Sequence, residues 1–261
     1  MLKRARIAML ACLMGSMFLI GCNRPSSGET GQSIEPSPVT TRMPSNLPTP
    51  IIGPIKYVAL GDSTGAGIGA KEGGYVARLF KRIVERRPGS DLTNLCVSGA
   101  TTSDVLRDQL KSGVLATPNL VTLGIGINDI GHGLSVEQFS KNYDEILSRL
   151  RNGTKATIVV TNVPDISSAP RIPQVIRPEY QRLIIEFNQR LEEIAARHGV
   201  IVFDVYTITR EQLPAHPEFF SSDGFHPSDE GYELWAEKMW PTVAGAIGEA
   251  EGPPSPGKQG E

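Results

Sequence analysis

The sequence predicts an α/β domain: a three-layer α/β/α sandwich on a mostly parallel sheet of about five strands. Two patterns lead there. Five short runs rich in β-branched residues have strand length and composition, and the stretches between them carry apolar residues at helical spacing. A strand, an amphipathic helix and a second strand close as a right-handed crossover, which lays the strands parallel and covers the sheet with helices. The length agrees, because 261 residues of which 39% are apolar suffice for one ordinary core.

The chain opens on the basic MLKRAR, runs through the nearly all-apolar Ile7 to Ile20, and reaches Gly21-Cys22. That order is a secretory signal peptide, expected over residues 1–21. The apolar run is too short for a bilayer core, which takes about 20 residues. Leu19-Ile20-Gly21-Cys22 resembles the bacterial lipobox, and the resemblance implies that Cys22 is lipidated and begins the mature chain. A signal peptide that merely contains a cysteine is the plainer alternative, but the place of Cys22 directly after the small residue favours the lipobox. The expected product is exported and tethered by lipid to a bacterial membrane, on its periplasmic or extracellular face. Residues 22–54, rich in Pro, Ser, Thr and Gly, are expected to be that tether, and residues 249–261 a disordered tail.

The expected domain spans residues 55–248. Its first strand, IKYVAL (55–60), ends at Gly61-Asp62-Ser63-Thr64-Gly65-Ala66-Gly67, and Tyr75, Val76, Leu79, Phe80 and Ile83 form the next helical stripe. DLTNLCV (91–97) precedes Ser98-Gly99-Ala100-Thr101, and NLVTLGI (119–125) precedes Gly126-Ile127-Asn128-Asp129. Val136, Phe139, Tyr143, Ile146, Leu147 and Leu150 form a second stripe, followed by the strand KATIVVT (155–161). A loop from Asn162 to Pro178 holds four prolines and reads as a stiff rim; Tyr180, Leu183, Ile184, Phe187, Leu191 and Ile194 form the third stripe. VIVFDVY (200–206) is the last strand, and Asp223-Gly224-Phe225-His226 precedes a helix starting near Ser228, which Pro241 is expected to kink or end. Trp235 and Trp240 are expected in the core or at its rim. Ligands of such sheets bind at the carboxyl ends of the strands, where these motifs fall.

A serine hydroxyl is a weak nucleophile until a base takes its proton. Asp223 and His226, three residues apart, allow the carboxylate to meet one ring nitrogen while the other faces Ser63. GDS after the first strand, SGAT, GIND and DGFH, in this order, resemble the four blocks of the SGNH (GDSL-type) hydrolases, over roughly residues 55–245. The resemblance implies a flavodoxin-like fold, a catalytic triad of Ser63, Asp223 and His226, and an oxyanion hole from the Ser63 and Gly99 N–H groups and the Asn128 side-chain amide. It implies a serine esterase that cleaves a carboxylic ester through an acyl-enzyme, with no cofactor. Small acyl or acetyl esters and lysophospholipids are the candidate substrates, carried on a small molecule, a glycan or a lipid. The sparse apolar content of the 162–178 loop favours small acyl groups. Thr64 and Ile130 stand where many members carry Leu, which touches pocket shape and leaves the chemistry alone. A carbohydrate- or lipid-binding module that has lost turnover is the alternative.

Other readings are weaker. GDSTG fits the G-x-S-x-G elbow of α/β-hydrolases, but only one strand precedes Ser63 and the acid and histidine are unusually close. Gly65-Ala66-Gly67-Ile68-Gly69-Ala70 fits a dinucleotide-binding motif, but four residues separate its first glycine from the strand. A net charge of −2 without a basic stripe argues against nucleic acid. His132, His198 and His216 lack ligand spacing, so no metal is expected. Cys96, left unpaired once Cys12 and Cys22 are spent, reads as a small buried hydrophobe. Asp62 and Asp129 read as loop-bracing acceptors. A monomer is expected.

Overall fold

A computed structural model describes residues 51–249. The expected signal peptide, Cys22, the tether up to residue 50 and the tail from residue 250 lie outside the described residues.

Strand β1 (Lys56–Gly61) leads into the single turn α1 (Ser63–Ala66), a glycine-rich loop and α2 (Tyr75–Arg86). After β2 (Asp91–Asn94) come α3 (Thr102–Asp104), a π-helical turn (Val105–Gln109) and α4 (Leu110–Leu115). β3 (Leu120–Gly124) feeds α5 (Ile127–Gly131) and α6 (Val136–Gly153), and β4 (Thr157–Thr161) is joined by a long loop to α7 (Arg177–His198). β5 (Ile201–Phe203), α8 (Val205–Gln212) and α9 (Asp229–Ala246) complete the order.

The five strands are parallel, in the order β2-β1-β3-β4-β5. Alternation along each strand sends side chains to opposite faces. Val58, Leu60, Val121, Leu123, Ile158 and Val160 pack under Phe139, Tyr143 and Ile146 of α6 and Phe187 and Leu191 of α7. Tyr57, Ala59, Leu120, Val159 and Ile201 pack on the other face with Leu79 and Ile83 of α2 and Trp235, Met239 and Val243 of α9. The sheet is therefore covered on both sides, as the three helical stripes require. This is the α/β/α architecture the sequence predicts, with the 2-1-3-4-5 strand order of flavodoxin-like folds.

Register places the site. Gly61 pairs with Gly124, Gly124 with Thr161, and Thr161 with Phe203, so four strands end on one row. The segments carrying Ser63, Asn128, the 162–178 loop and α8 all leave the sheet at that edge. Gly61, at φ 146°, has no room for a side chain: a Cβ there would fall 2.2 Å from the Gly124 carbonyl oxygen.

Two local expectations are corrected. The last strand stops at Phe203, because Asp204 accepts from Thr207 N (3.0 Å) and caps α8 with Val205 and Tyr206 inside the helix. β2 stops at Asn94, whose side chain turns to take Cys96 N (3.1 Å) and to donate to Gly65 O (2.9 Å). Of the two outcomes expected at Pro241, the end of the helix does not occur, since α9 continues to Ala246. Met239, Val243 and Ile247 are fully buried on both sides of the proline, and that packing outweighs one lost backbone bond. At the domain's edges Arg87 donates to Ile51 O (2.9 Å) and Gly53 O (3.2 Å) and pairs with Glu249, so the last residues of the expected tether and the first of the tail are held against the domain.

Candidate active site

Ser63 is the first residue of α1, and Asp62 caps that turn by accepting from Thr64 N (2.9 Å) and Thr64 Oγ1 (2.8 Å). The end of β1 is fixed by Gln109, whose side-chain amide both accepts from Gly61 N and donates to Gly61 O, each at 2.8 Å. Gln109 thus satisfies Gly61 just past the end of β2, which pairs with β1 only as far as Asn94. It points inward from a π-helical turn, a device common at functional sites. Burial pushes the Asp62 carboxyl up to about 6, against the opposing pull of its Thr64 hydrogen bonds and the charge of His226.

At the other end of the chain, residues 219–228 close on themselves. Ser221 N donates to His226 O (2.8 Å), Ser228 N to Phe219 O (2.8 Å), and Gly224 takes φ +65° to make the turn between acid and histidine. Asp223 Oδ1 accepts from Ser221 Oγ (2.8 Å), Phe225 N (2.8 Å) and His226 N (2.9 Å). Its Oδ2 lies 2.5 Å from His226 Nδ1, and His226 Nε2 lies 3.0 Å from Ser63 Oγ. Partial burial raises the Asp223 carboxyl, but these four donors outweigh it and hold the group well below the usual carboxylate range. A carboxylate facing Nδ1 fixes the ring proton on that nitrogen and leaves Nε2 as the acceptor toward the serine. The three residues named from the sequence are thus brought into one hydrogen-bonded line across 163 positions of chain.

Gly99 takes φ +79° on an exposed bend, and neither its N–H nor that of Ser63 has a hydrogen-bond partner among the described residues. The loop behind it is braced. Thr101 and Asp104 form a reciprocal capping box, and buried Asp129 accepts from Thr102 N (3.0 Å) and Thr102 Oγ1 (2.5 Å). Asn128 Nδ2 donates one N–H to Ala100 O (2.9 Å), which orients the amide and leaves its second N–H to donate elsewhere. Asp62 and Asp129 are both loop-bracing acceptors, as read from the sequence. Cys96 is half-buried against Gly65, and burial pushes its thiol up, away from thiolate chemistry.

A cavity of about 50 Å³ opens beside Ser63 and His226, lined by Ile127, Pro164, Ile166, Phe219, Phe220 and Phe225 among others. The 162–178 loop supplies only two of these six. Ile127 and Phe225 come from the GIND and DGFH motifs, and Phe219 and Phe220 from a segment in which the sequence showed no pocket signal. Sequence reasoning also missed Gln109, Thr102 and Asn142, whose side chain donates to Thr102 Oγ1 (3.0 Å).

Known proteins place the chain. Residues 59–234 match the GDSL-like lipase/acylhydrolase family. The chain is 26% identical over 213 residues to the spore germination lipase LipC of Bacillus licheniformis, covering 71% of this chain and 94% of that one. It is 25% identical over 183 residues to an arylesterase of Vibrio mimicus, covering 70% and 84%. Among solved structures, a lipase/acylhydrolase from Enterococcus faecalis matches with a TM-score of 0.58 at 26% identity, over 73% of this chain and 96% of the other. An acetylxylan esterase from Geobacillus stearothermophilus matches with a TM-score of 0.61 over 76% and 97%, and at 19% identity that likeness concerns the fold alone. Because the family match spans more than half of the 261 residues and encloses both Ser63 and His226, the chain belongs to the GDSL-like lipase/acylhydrolase (SGNH) family of ester hydrolases.

Proposed function

We propose that the protein hydrolyses carboxylic esters of short acyl groups through an acyl-enzyme on Ser63. The observation that carries this is the continuous line from Asp223 Oδ2 through the imidazole to Ser63 Oγ. Ser63 Oγ attacks the ester carbon as its proton passes to His226 Nε2, and the carbonyl electron pair moves onto oxygen. The Ser63 and Gly99 N–H groups and the second N–H of Asn128 receive that oxyanion. On collapse the bond to the alcohol breaks, and His226 returns its proton to the leaving alkoxide. Water then attacks the acyl-enzyme, with His226 again as base, and releases the acid and free Ser63.

Cavity size supports the acyl preference. An enclosed apolar cavity of about 150 Å³ holds benzene, so about 50 Å³ shelters only a few carbon atoms before a longer chain must run out of its open mouth. The relatives' names, lipase and arylesterase, span several alcohol partners and leave that half of the substrate open. A fluorophosphonate probe is expected to label Ser63. Across p-nitrophenyl acetate, butanoate, octanoate and palmitate, kcat/KM is expected to peak at acetate or butanoate and fall at least about tenfold by octanoate, the scale of losing a fit worth 1.4 kcal/mol. A maximum at palmitate overturns the short-acyl reading, and an unlabelled, inert protein that binds a glycan or lipid favours the binding-module alternative.

We also propose export and anchoring through a lipid on Cys22. Cys22→Ser is expected to move the protein from the membrane pellet to the soluble fraction, and continued sedimentation with membranes would contradict lipidation.

A further inference from the structure

The glycine-rich loop between α1 and α2, which its motif alone does not explain, lies against the histidine. A Cβ on Gly69, at φ +98°, would fall 2.9 Å from the Cβ of His226 and 2.6 Å from Pro227 O. The loop backbone and the histidine segment are therefore in direct contact, with no space between them. The loop is itself gripped from outside. Tyr232 Oη donates to Ile68 O (2.9 Å), and the N–H groups of Lys71 and Glu72 both donate to the Asp229 carboxylate (3.1 and 3.0 Å). Arg78 closes the arrangement: Nε donates to Gly73 O (3.3 Å), Nη2 to Asp229 Oδ1 (2.7 Å) and Nη1 to Glu233 Oε2 (2.8 Å). Asp229 stands three residues after His226, at the start of α9.

We propose that Arg78 is a positioning residue for His226, holding the Gly67–Gly74 loop between α2 and the start of α9 so that Gly69 presses the imidazole toward Ser63. The Arg78 side chain is only 10% exposed and engages three separate partners, unlike a solvated surface pair, whose removal changes little. Lysine cannot reproduce this grip, because one ammonium cannot reach the Gly73 carbonyl, Asp229 and Glu233 with the geometry of a guanidinium fork. The inference rests on the proposed catalytic role of His226, which it reaches only through the loop.

The test compares Arg78→Met, Arg78→Lys, Gly69→Ala and His226→Ala on a short p-nitrophenyl ester, with thermal unfolding of each. Arg78→Met and Gly69→Ala are expected to lower kcat at least about tenfold with KM within about twofold, since the ring's approach to Ser63 changes while the walls supplied by Ile127, Pro164 and Ile166 come from other segments. Arg78→Lys is expected to fall between Arg78→Met and the wild type. A folded Arg78→Met with wild-type kcat overturns the proposal, as does a parallel shift of kcat and KM. Should Arg78→Met not fold, Arg78→Lys decides, and wild-type kcat in that variant overturns it. An active His226→Ala removes the catalytic reading itself; an inert His226→Ala beside fully active Arg78 variants removes only the role of Arg78.

Discussion

Replacing Ser63 with alanine is expected to lower turnover of a short-acyl ester by about 10⁴-fold or more, the scale seen when a serine nucleophile is removed from a triad. The change should leave the fold intact. Ser63 is capped by Asp62 through Thr64, and the end of β1 is clamped by Gln109, so the serine hydroxyl adds only its contact with His226 Nε2. The residual rate then measures what the remaining donors and the cavity accomplish without a covalent step, since Gly99, Asn128 and the Ser63 N–H survive the substitution. Steady-state hydrolysis by the folded variant, with fluorophosphonate labelling alongside, checks both halves. A variant within tenfold of wild type would show that another group attacks the ester and that the aligned hydroxyl is a bystander.

The parts of this molecule that sequence could reveal are those encoded locally. β1, β3 and β4 are buried on both faces, so they read as nearly unbroken apolar runs, and α2, α6 and α7 each show the stripe that faces the sheet. Ser63 stands beside glycines after a strand, and Asp223 and His226 share one tight turn, so short motifs carry them. What stayed hidden is coupling between distant segments. Gln109 satisfies the Gly61 backbone from 48 residues away, Asp229 receives the loop at Lys71 and Glu72, and Asp129 holds Thr102. A lone buried glutamine or arginine carries no periodic signal. Capping also competes with composition: Asp204 follows a β-branched run, and the run reads as strand through Tyr206, past Val205, where the helix starts. The 162–178 loop stands out in the sequence by its prolines, yet Phe219, Phe220 and Phe225 from another segment wall the cavity.

Asp223→Asn is the sharper test of the line of hydrogen bonds, because it should preserve shape while reversing one proton. Asparagine's Oδ1 can still accept from Ser221 Oγ, Phe225 N and His226 N, so the turn keeps its form. Its amide N–H, however, would face Nδ1, which must then act as acceptor. The ring proton moves to Nε2 and points at Ser63 Oγ, so the base can no longer take the serine proton. A loss of about 10⁴-fold in kcat is expected, as when a triad aspartate becomes asparagine elsewhere, and near-wild-type turnover would mean that Asp223 does not set the tautomer. The same pair yields a pH signature with a definite sign. Four donors hold the Asp223 carboxyl well below its unfolded value of about 3.9. Its stabilising contribution is therefore complete above that unfolded value and lost as pH falls through the lower folded one. Urea unfolding of wild type and Asp223→Asn should accordingly give a stability difference that is flat above about pH 5 and moves against the wild type on further acidification. A difference that instead grows in favour of the wild type as acid is added would mean that the native state does not favour the ionised carboxylate, and the His226 imidazole would lose the charge that orients it.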